Sequence, residues 1–215
     1  MIKSFVFLTA FAYLLGSVPF GVLIAKAHGK ELRSIGSGNI GATNVARALG
    51  KKWAYFCFIL DCLKGLVPML TAKLLIGELT AGALSLWLMV GCAAIIGHIF
   101  PVYLRFKGGK GVATSLGMVL GLYPYYTVPG IITLFIWVGT VLISRYISLA
   151  SIAASVVFPI SLIASIAVLG DWRFLQLWPL IVASLVMGLL VIVRHAENIK
   201  RLLEGSEAKV IMGRT

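Results

Sequence analysis

Val112-Ala113-Thr114-Ser115-Leu116-Gly117-Met118-Val119-Leu120-Gly121-Leu122-Tyr123-Pro124-Tyr125-Tyr126 is short for a membrane span and too apolar for a loop. Whether it crosses a bilayer fixes the side on which every later loop falls. Around it, apolar stretches of the length a bilayer demands, about 20 residues, lie at 4–25, 53–76, 81–100, 128–144, 147–169 and 175–193. If 112–126 also crosses, fifteen Lys and Arg residues, Arg214 among them, share one side, opposite Lys3, Lys73 and Arg173. If it only re-enters, the count becomes 10 to 8, and the positive-inside bias that normally sets orientation disappears. The sequence therefore predicts an all-α polytopic membrane bundle of seven transmembrane helices, one of them short. The N-terminus is expected outside, the C-terminus in the cytoplasm, and residues 1–215 form a single domain. Fifteen helical residues rise only about 22 Å, so 112–126 should be sunk among its neighbours. Tyr123, Tyr125, Tyr126 and Trp172 are expected in the outer aromatic belt, and Trp53, Tyr103 and Tyr146 in the inner one.

Composition agrees. Of 215 residues 60% are hydrophobic and 12% charged, and the mean hydropathy is +1.02, which places the chain outside soluble globular proteins. The net charge of +12 does not imply nucleic acid, because basic residues beside apolar spans mark cytoplasmic loops and anionic headgroups. Cys57, Cys62 and Cys92 lie in apolar runs without metal-ligand spacing. The first stretch lacks a charged n-region with a small-residue cleavage site and reads as a span.

Three polar stretches interrupt the apolar chain, and seven crossings place all three on one face. In the first, Gly36-Ser37-Gly38-Asn39-Ile40-Gly41-Ala42-Thr43-Asn44-Val45-Ala46-Arg47, the G-x-G-x-x-G pattern is matched. No β-strand precedes it, so a dinucleotide fold is excluded. What survives is physical. Gly36, Gly38 and Gly41 let backbone amides approach an anion, while Ser37, Asn39, Thr43 and Asn44 add neutral donors. Residues 42–49 should form a short helix that carries Arg47 and ends at Gly50.

The second stretch, Lys107-Gly108-Gly109-Lys110-Gly111, is not a nucleotide P-loop, because Gly111 stands where Ser or Thr is required. Its glycines and two lysines at the start of helix 112–126 still combine charge, free amides and a helix dipole on one anion. In the third, His195 and Asn198 are spaced i, i+3, and Glu197 and Arg201 form an i, i+4 pair. His98 is expected to pack between helices or to support the site, and His28 to be a solvated loop residue. Asp61 and Lys64, also i, i+3, lie about 12 Å deep in the second span, as functional candidates or as a neutralising brace.

Basic, glycine-rich loops on one membrane face point to a phosphorylated substrate, and absences narrow the chemistry. No His-x-x-x-x-Asp begins at His28, His98 or His195. The only aspartates are Asp61 and Asp171, too few for metal-dependent phosphoalcohol transfer, and no Gly-x-Ser-x-Gly elbow occurs. Few acids and many bases favour a metal-free reaction in which Lys and Arg hold phosphate.

Gly16-Ser17-Val18-Pro19-Phe20-Gly21, the Ser37–Asn44 loop, Gly108-Gly109-Lys110-Gly111-Val112-Ala113-Thr114, and Arg194-His195-x-x-Asn198-Ile199-x-Arg201-Leu202-Leu203-x-Gly205-x-Glu207 together resemble the bacterial acyl-phosphate:glycerol-3-phosphate acyltransferase family. The resemblance covers nearly the whole chain. It implies transfer of a fatty acyl group from acyl phosphate to the 1-hydroxyl of glycerol 3-phosphate, giving lysophosphatidate and phosphate in the inner membrane, with the site on the cytoplasmic face. With that reaction, Ser37, Asn39, His195 and Asn198 take the catalytic roles. Asn44, Arg47, Lys107, Lys110, Thr114 and Arg145 are assigned to substrate phosphates, and Gly36, Gly38, Gly41, Gly108, Gly109 and Gly111 shape the loop backbone. No cofactor, metal, coenzyme A or nucleic acid is expected; the partners are acyl phosphate, glycerol 3-phosphate and the bilayer. The competing class is a small-anion membrane transporter, which would require a polar path to the outer face.

Overall fold

The computed structural model describes residues 2–209, so Arg214 of the basic count lies outside the described residues. Among them are ten α-helices and no strand: α1 (Ile2–Ser17), α2 (Phe20–Ala27), α3 (Ala42–Leu49), α4 (Lys51–Lys73), α5 (Ala81–Ile99), α6 (Val112–Gly121), α7 (Thr127–Ser144), α8 (Ile147–Val168), α9 (Phe174–Arg194) and α10 (Ala196–Leu203). Six segments are long and apolar enough to cross a membrane: α1 with α2, α4, the segment containing α5, α7, α8 and α9. The expected short seventh helix is α6.

The described chain divides into two compact units, one ending at Leu122 and the other beginning at Tyr123. In the first, α1 packs on α5, α4 on α6, and α3 against α4. Small residues bring these backbones together, as they do where lipid supplies no hydrophobic drive between helices. A Cβ on Gly16 would strike the Ala94 carbonyl, and one on Gly97 the Tyr13 carbonyl. Tyr13 adds a hydrogen bond from its hydroxyl to the Phe100 carbonyl, 2.9 Å. The α4–α6 crossing is built likewise, Gly65 lying against the Thr114 carbonyl and Gly117 against that of Cys62. The first span is broken at Pro19, after which α2 begins, because proline offers no N–H to continue the ladder.

Helix α6 stops at Gly121 and not at residue 126. Pro124 restrains the residue before it and lacks a donor, so 10 residues rise only about 15 Å.

In the second unit, α8 packs between α7 and α9, and α10 rests on both α8 and α9. Its buried hydroxyls find acceptors inside the fold: Thr133 and Ser161 both donate to the Pro129 carbonyl, at 3.0 and 3.2 Å. Tyr126 corrects the belt expectation. It is buried, its hydroxyl donates to the Leu180 carbonyl at 2.6 Å, and its ring meets Phe158 edge to face. Tyr125 does pair with Trp172, their centroids 5.1 Å apart.

Candidate active site

The candidate residues divide between the two units. In the first unit, the loop from Leu32 to Gly41 is held by its own side chains. Asn44 is the centre of that hold: its Oδ1 accepts the Ser37 N–H at 3.1 Å, and its Nδ2 donates to the Leu32 carbonyl at 3.0 Å. With 1% of its surface exposed, Asn44 has no face left for an anion. The sequence places it among the phosphate ligands; the structure makes it the scaffold of the loop. Asn39 accepts the Gly41 N–H through Oδ1, 2.9 Å, which leaves its Nδ2 as the outward donor. Gly36 and Gly38 take φ of +55° and +66°, values open to glycine but costly for residues with a Cβ.

This geometry carries Ser37 at the surface ahead of α3, and Arg47, also exposed, stands in the last turn of that helix. Gly41 is its N-cap without a side-chain cap, and the Ala42 and Thr43 amides find no acceptor among the described residues, as at any helix start. Free amides at a helix start suit an anion, and the Arg47 side chain lies back against Gly36. Helix α3 spans the expected 42–49 and ends at Gly50 with φ +89°.

The second loop is tied to the first, because the Arg33 guanidinium donates to the Lys107 carbonyl at 2.5 Å. Lys107 is exposed and Lys110 half-buried just ahead of α6. Gly111 caps that helix with φ +83°. The Gly108 and Gly109 amides turn inward, donating to the carbonyls of Ile99 and His98 at 3.1 and 3.0 Å. Thr114, assigned from sequence to phosphate, is fully buried where α6 crosses α4. Its hydroxyl, unlike the Asn44 amide, has no hydrogen-bond partner among the described residues, while its backbone carbonyl packs against Gly65.

In the second unit, His195 does not sit within a helix but forms the joint between α9 and α10. It is 2% exposed, and its Nδ1 lies 2.8 Å from the Val191 carbonyl. A carbonyl only accepts, so Nδ1 carries a proton in that contact. Arg145 is exposed and caps α7 with φ +63°.

Glu207 is the residue that sequence reasoning left without a role. Its Oε1 accepts from Asn198 Nδ2 at 2.6 Å and from Ser148 Oγ at 2.7 Å, while Oε2 accepts from Arg201 Nε at 2.7 Å. The expected Glu197–Arg201 pair is present only as a long contact of 3.9 Å, with Glu197 almost wholly in solvent. Burial pulls the Glu207 carboxyl upward, but hydrogen bonds from Arg201, Asn198 and Ser148 and the Arg201 charge outweigh it, holding the group below the usual carboxylate range. The available signal was Gly205, whose φ of +70° turns the chain back after α10.

A family model described as glycerol-3-phosphate acyltransferase matches residues 6–205. A glycerol-3-phosphate acyltransferase of Geobacter sulfurreducens is 47% identical over 202 residues, covering 93% of this chain and 94% of that protein. One from Aquifex aeolicus is 45% identical over 205 residues, covering 94% and 96%. Among solved structures, PlsY (YgiH), an integral membrane glycerol 3-phosphate acyltransferase, is similar in its glycerol 3-phosphate form with a TM-score of 0.85 and 42% identity, covering 97% of this chain and 96% of that one. Its lysophosphatidic acid form gives 0.82 and 41%, with the same coverage.

Proposed function

We infer that this chain, which belongs to the glycerol-3-phosphate acyltransferase family, transfers a fatty acyl group from acyl phosphate to the 1-hydroxyl of glycerol 3-phosphate, releasing lysophosphatidate and phosphate. The family model runs through both compact units, which supports treating 1–215 as one acyltransferase domain. The observation that carries the reading within the molecule is the pair of tied glycine loops presenting Arg47, Lys107 and Lys110.

Acyl phosphate is a mixed anhydride with a good leaving group, so the enzyme's main task is to align two anions that repel each other. Arg47, Lys107, Lys110 and Arg145 take the phosphates. Ser37, the Asn39 Nδ2 and loop amides receive the carbonyl oxygen as it gains charge. His195 and Asn198 orient glycerol 3-phosphate. Asn44 holds the loop that carries Ser37. The carbonyl carbon gains the glycerol oxygen and loses phosphate; the hydroxyl proton leaves to His195 or to a substrate phosphate.

The bacterial relatives and the excess of basic residues on one set of loops support a place in the bacterial inner membrane with the site on the cytoplasmic face. Purified protein given palmitoyl phosphate and glycerol 3-phosphate should release phosphate and form lysophosphatidate, and should ignore palmitoyl-coenzyme A. Equal rates with the coenzyme A ester would overturn the choice of donor, and failure to acylate glycerol 3-phosphate with either would overturn the activity.

A further inference from the structure

Three ionisable side chains lie inside the first unit without any role in the reaction above. Lys64 Nζ is 2.8 Å from Asp61 Oδ1, and His98 Nδ1 is 3.6 Å from the same oxygen. Asp61 and Lys64 are each 2% exposed and His98 4%. Such groups are costly inside a membrane, and a buried ion pair stabilises a fold no better than well-packed apolar residues of the same volume. Bracing alone would need only Asp61 and Lys64. Lys64 is anchored a second time by donating to the Val18 carbonyl at 3.0 Å, beside the break between α1 and α2.

His98 breaks that economy. One edge of its ring faces Asp61, and the opposite edge, at Nε2, occupies the space where a Cβ on Gly109 would stand. The backbone carbonyls of His98 and Ile99 meanwhile accept the Gly109 and Gly108 amides. Ring and carbonyl together therefore grip the turn that precedes Lys110. The same stretch of α4 also holds α6, since Gly65, next to Lys64, lies against the Thr114 carbonyl.

We propose that Asp61, Lys64 and His98 form a positioning triad: the anchored Asp61 carboxylate orients the His98 ring, and the ring sets the Gly108–Gly109 turn that aims Lys110 and the start of α6 at the phosphate of the acyl donor. The proposal rests on the acyl-transfer reading. It differs from a brace in predicting that the ring and the turn are coupled in kinetics.

The test is a double-mutant cycle on purified full-length protein with palmitoyl phosphate. Gly109→Ala sets a methyl against the ring and is expected to lower kcat/KM at least about 100-fold; His98→Ala alone is expected to lower it about tenfold; the double variant should recover at least about tenfold over Gly109→Ala, contacting residues being non-additive. Additive losses would overturn the triad. Amide exchange over residues 106–112 is the second readout: His98→Asn, which keeps a nitrogen toward Asp61 but removes the Nε2 edge, and Asp61→Asn should each speed exchange there about tenfold while α4 and α5 stay protected. Unchanged exchange in both variants would also overturn it. A wild-type protein inactive on palmitoyl phosphate would refute the acyl-transfer reading alone, with exchange still deciding the triad.

Discussion

Replacing Asn44 with alanine separates a scaffold from a ligand, and the expected cost follows from its two hydrogen bonds. Leu32 is 1% exposed, and the carbonyl that loses Asn44 Nδ2 still accepts the Ile35 N–H at 3.3 Å. That acceptor is not orphaned, so its loss is the net worth of one hydrogen bond, about 0.5–1.5 kcal/mol. Ser37 is exposed, so its N–H can turn to solvent, and only the net worth of one hydrogen bond, about 0.5–1.5 kcal/mol, is lost. Together Asn44→Ala should lower the unfolding free energy by about 1–3 kcal/mol. Equilibrium unfolding in mixed micelles would read this, with amide exchange over residues 32–41 rising locally. Activity should fall through kcat and KM together, because the whole loop loosens around Ser37 and Arg47. An Asn44→Ala protein that unfolds like wild type, with unchanged exchange and only a higher KM for acyl phosphate, would refute the scaffold role and return Asn44 to the ligand set.

Lys110→Gln removes charge at the start of α6 and should lower kcat/KM about 100-fold or more without loss of folded protein; activity within about twofold of wild type would make this loop a headgroup contact. His195→Gln keeps a donor but cannot accept a proton, so a general base at Nε2 predicts a loss of about 10²–10⁴ in kcat, whereas retained turnover with a raised KM for glycerol 3-phosphate would leave His195 as an orienting group only. The Glu207 carboxyl is held below its ordinary value, so its stabilising contribution is present above the unfolded value near 4.3 and lost as pH falls through the lower folded value. Unfolding measured from neutral down to about pH 3 should show this acid limb, and Glu207→Gln should flatten it; an identical acid profile in the variant would exclude the Asn198–Arg201 clamp as its source.

The spans were legible because lipid demands apolar runs of a set length, and the helix at 42–49 was legible because a glycine loop precedes it and Gly50 follows. The loops stood out from composition as basic and glycine-rich. The partners of their polar side chains did not. Asn39 and Asn44 have the same chemistry in the sequence, yet Asn39 keeps its Nδ2 outward while Asn44 is closed at both ends, a difference set by the turn geometry of Gly36 and Gly38. Spacing suggested Glu197 for Arg201, since helical periodicity counts only neighbours on the same helix; Glu207 reaches it by a turn beyond the helix end. His98 and Asp61 are 37 positions apart on different helices, so only the α4–α5 packing brings them together. Tyr126 looked interfacial because aromatic residues cluster near it, but the buried Leu180 carbonyl gives its hydroxyl an acceptor inside the fold.

Helix α6 covers about half of a hydrocarbon layer near 30 Å thick, so it cannot register both faces of the bilayer. Its depth is set by contact with α4, glycine against carbonyl at Gly65 and Gly117. Hydrophobic mismatch, which tilts or strains helices that reach both interfaces, therefore acts on α6 only through the helices it packs against, chiefly α4 and also α5. A cell that lengthens or shortens its acyl chains alters the membrane around the enzyme while Lys110 stays at a constant height relative to α4. An enzyme that supplies the precursor of those lipids thus has the short helix behind Lys110 insulated from the thickness of the bilayer it helps to build.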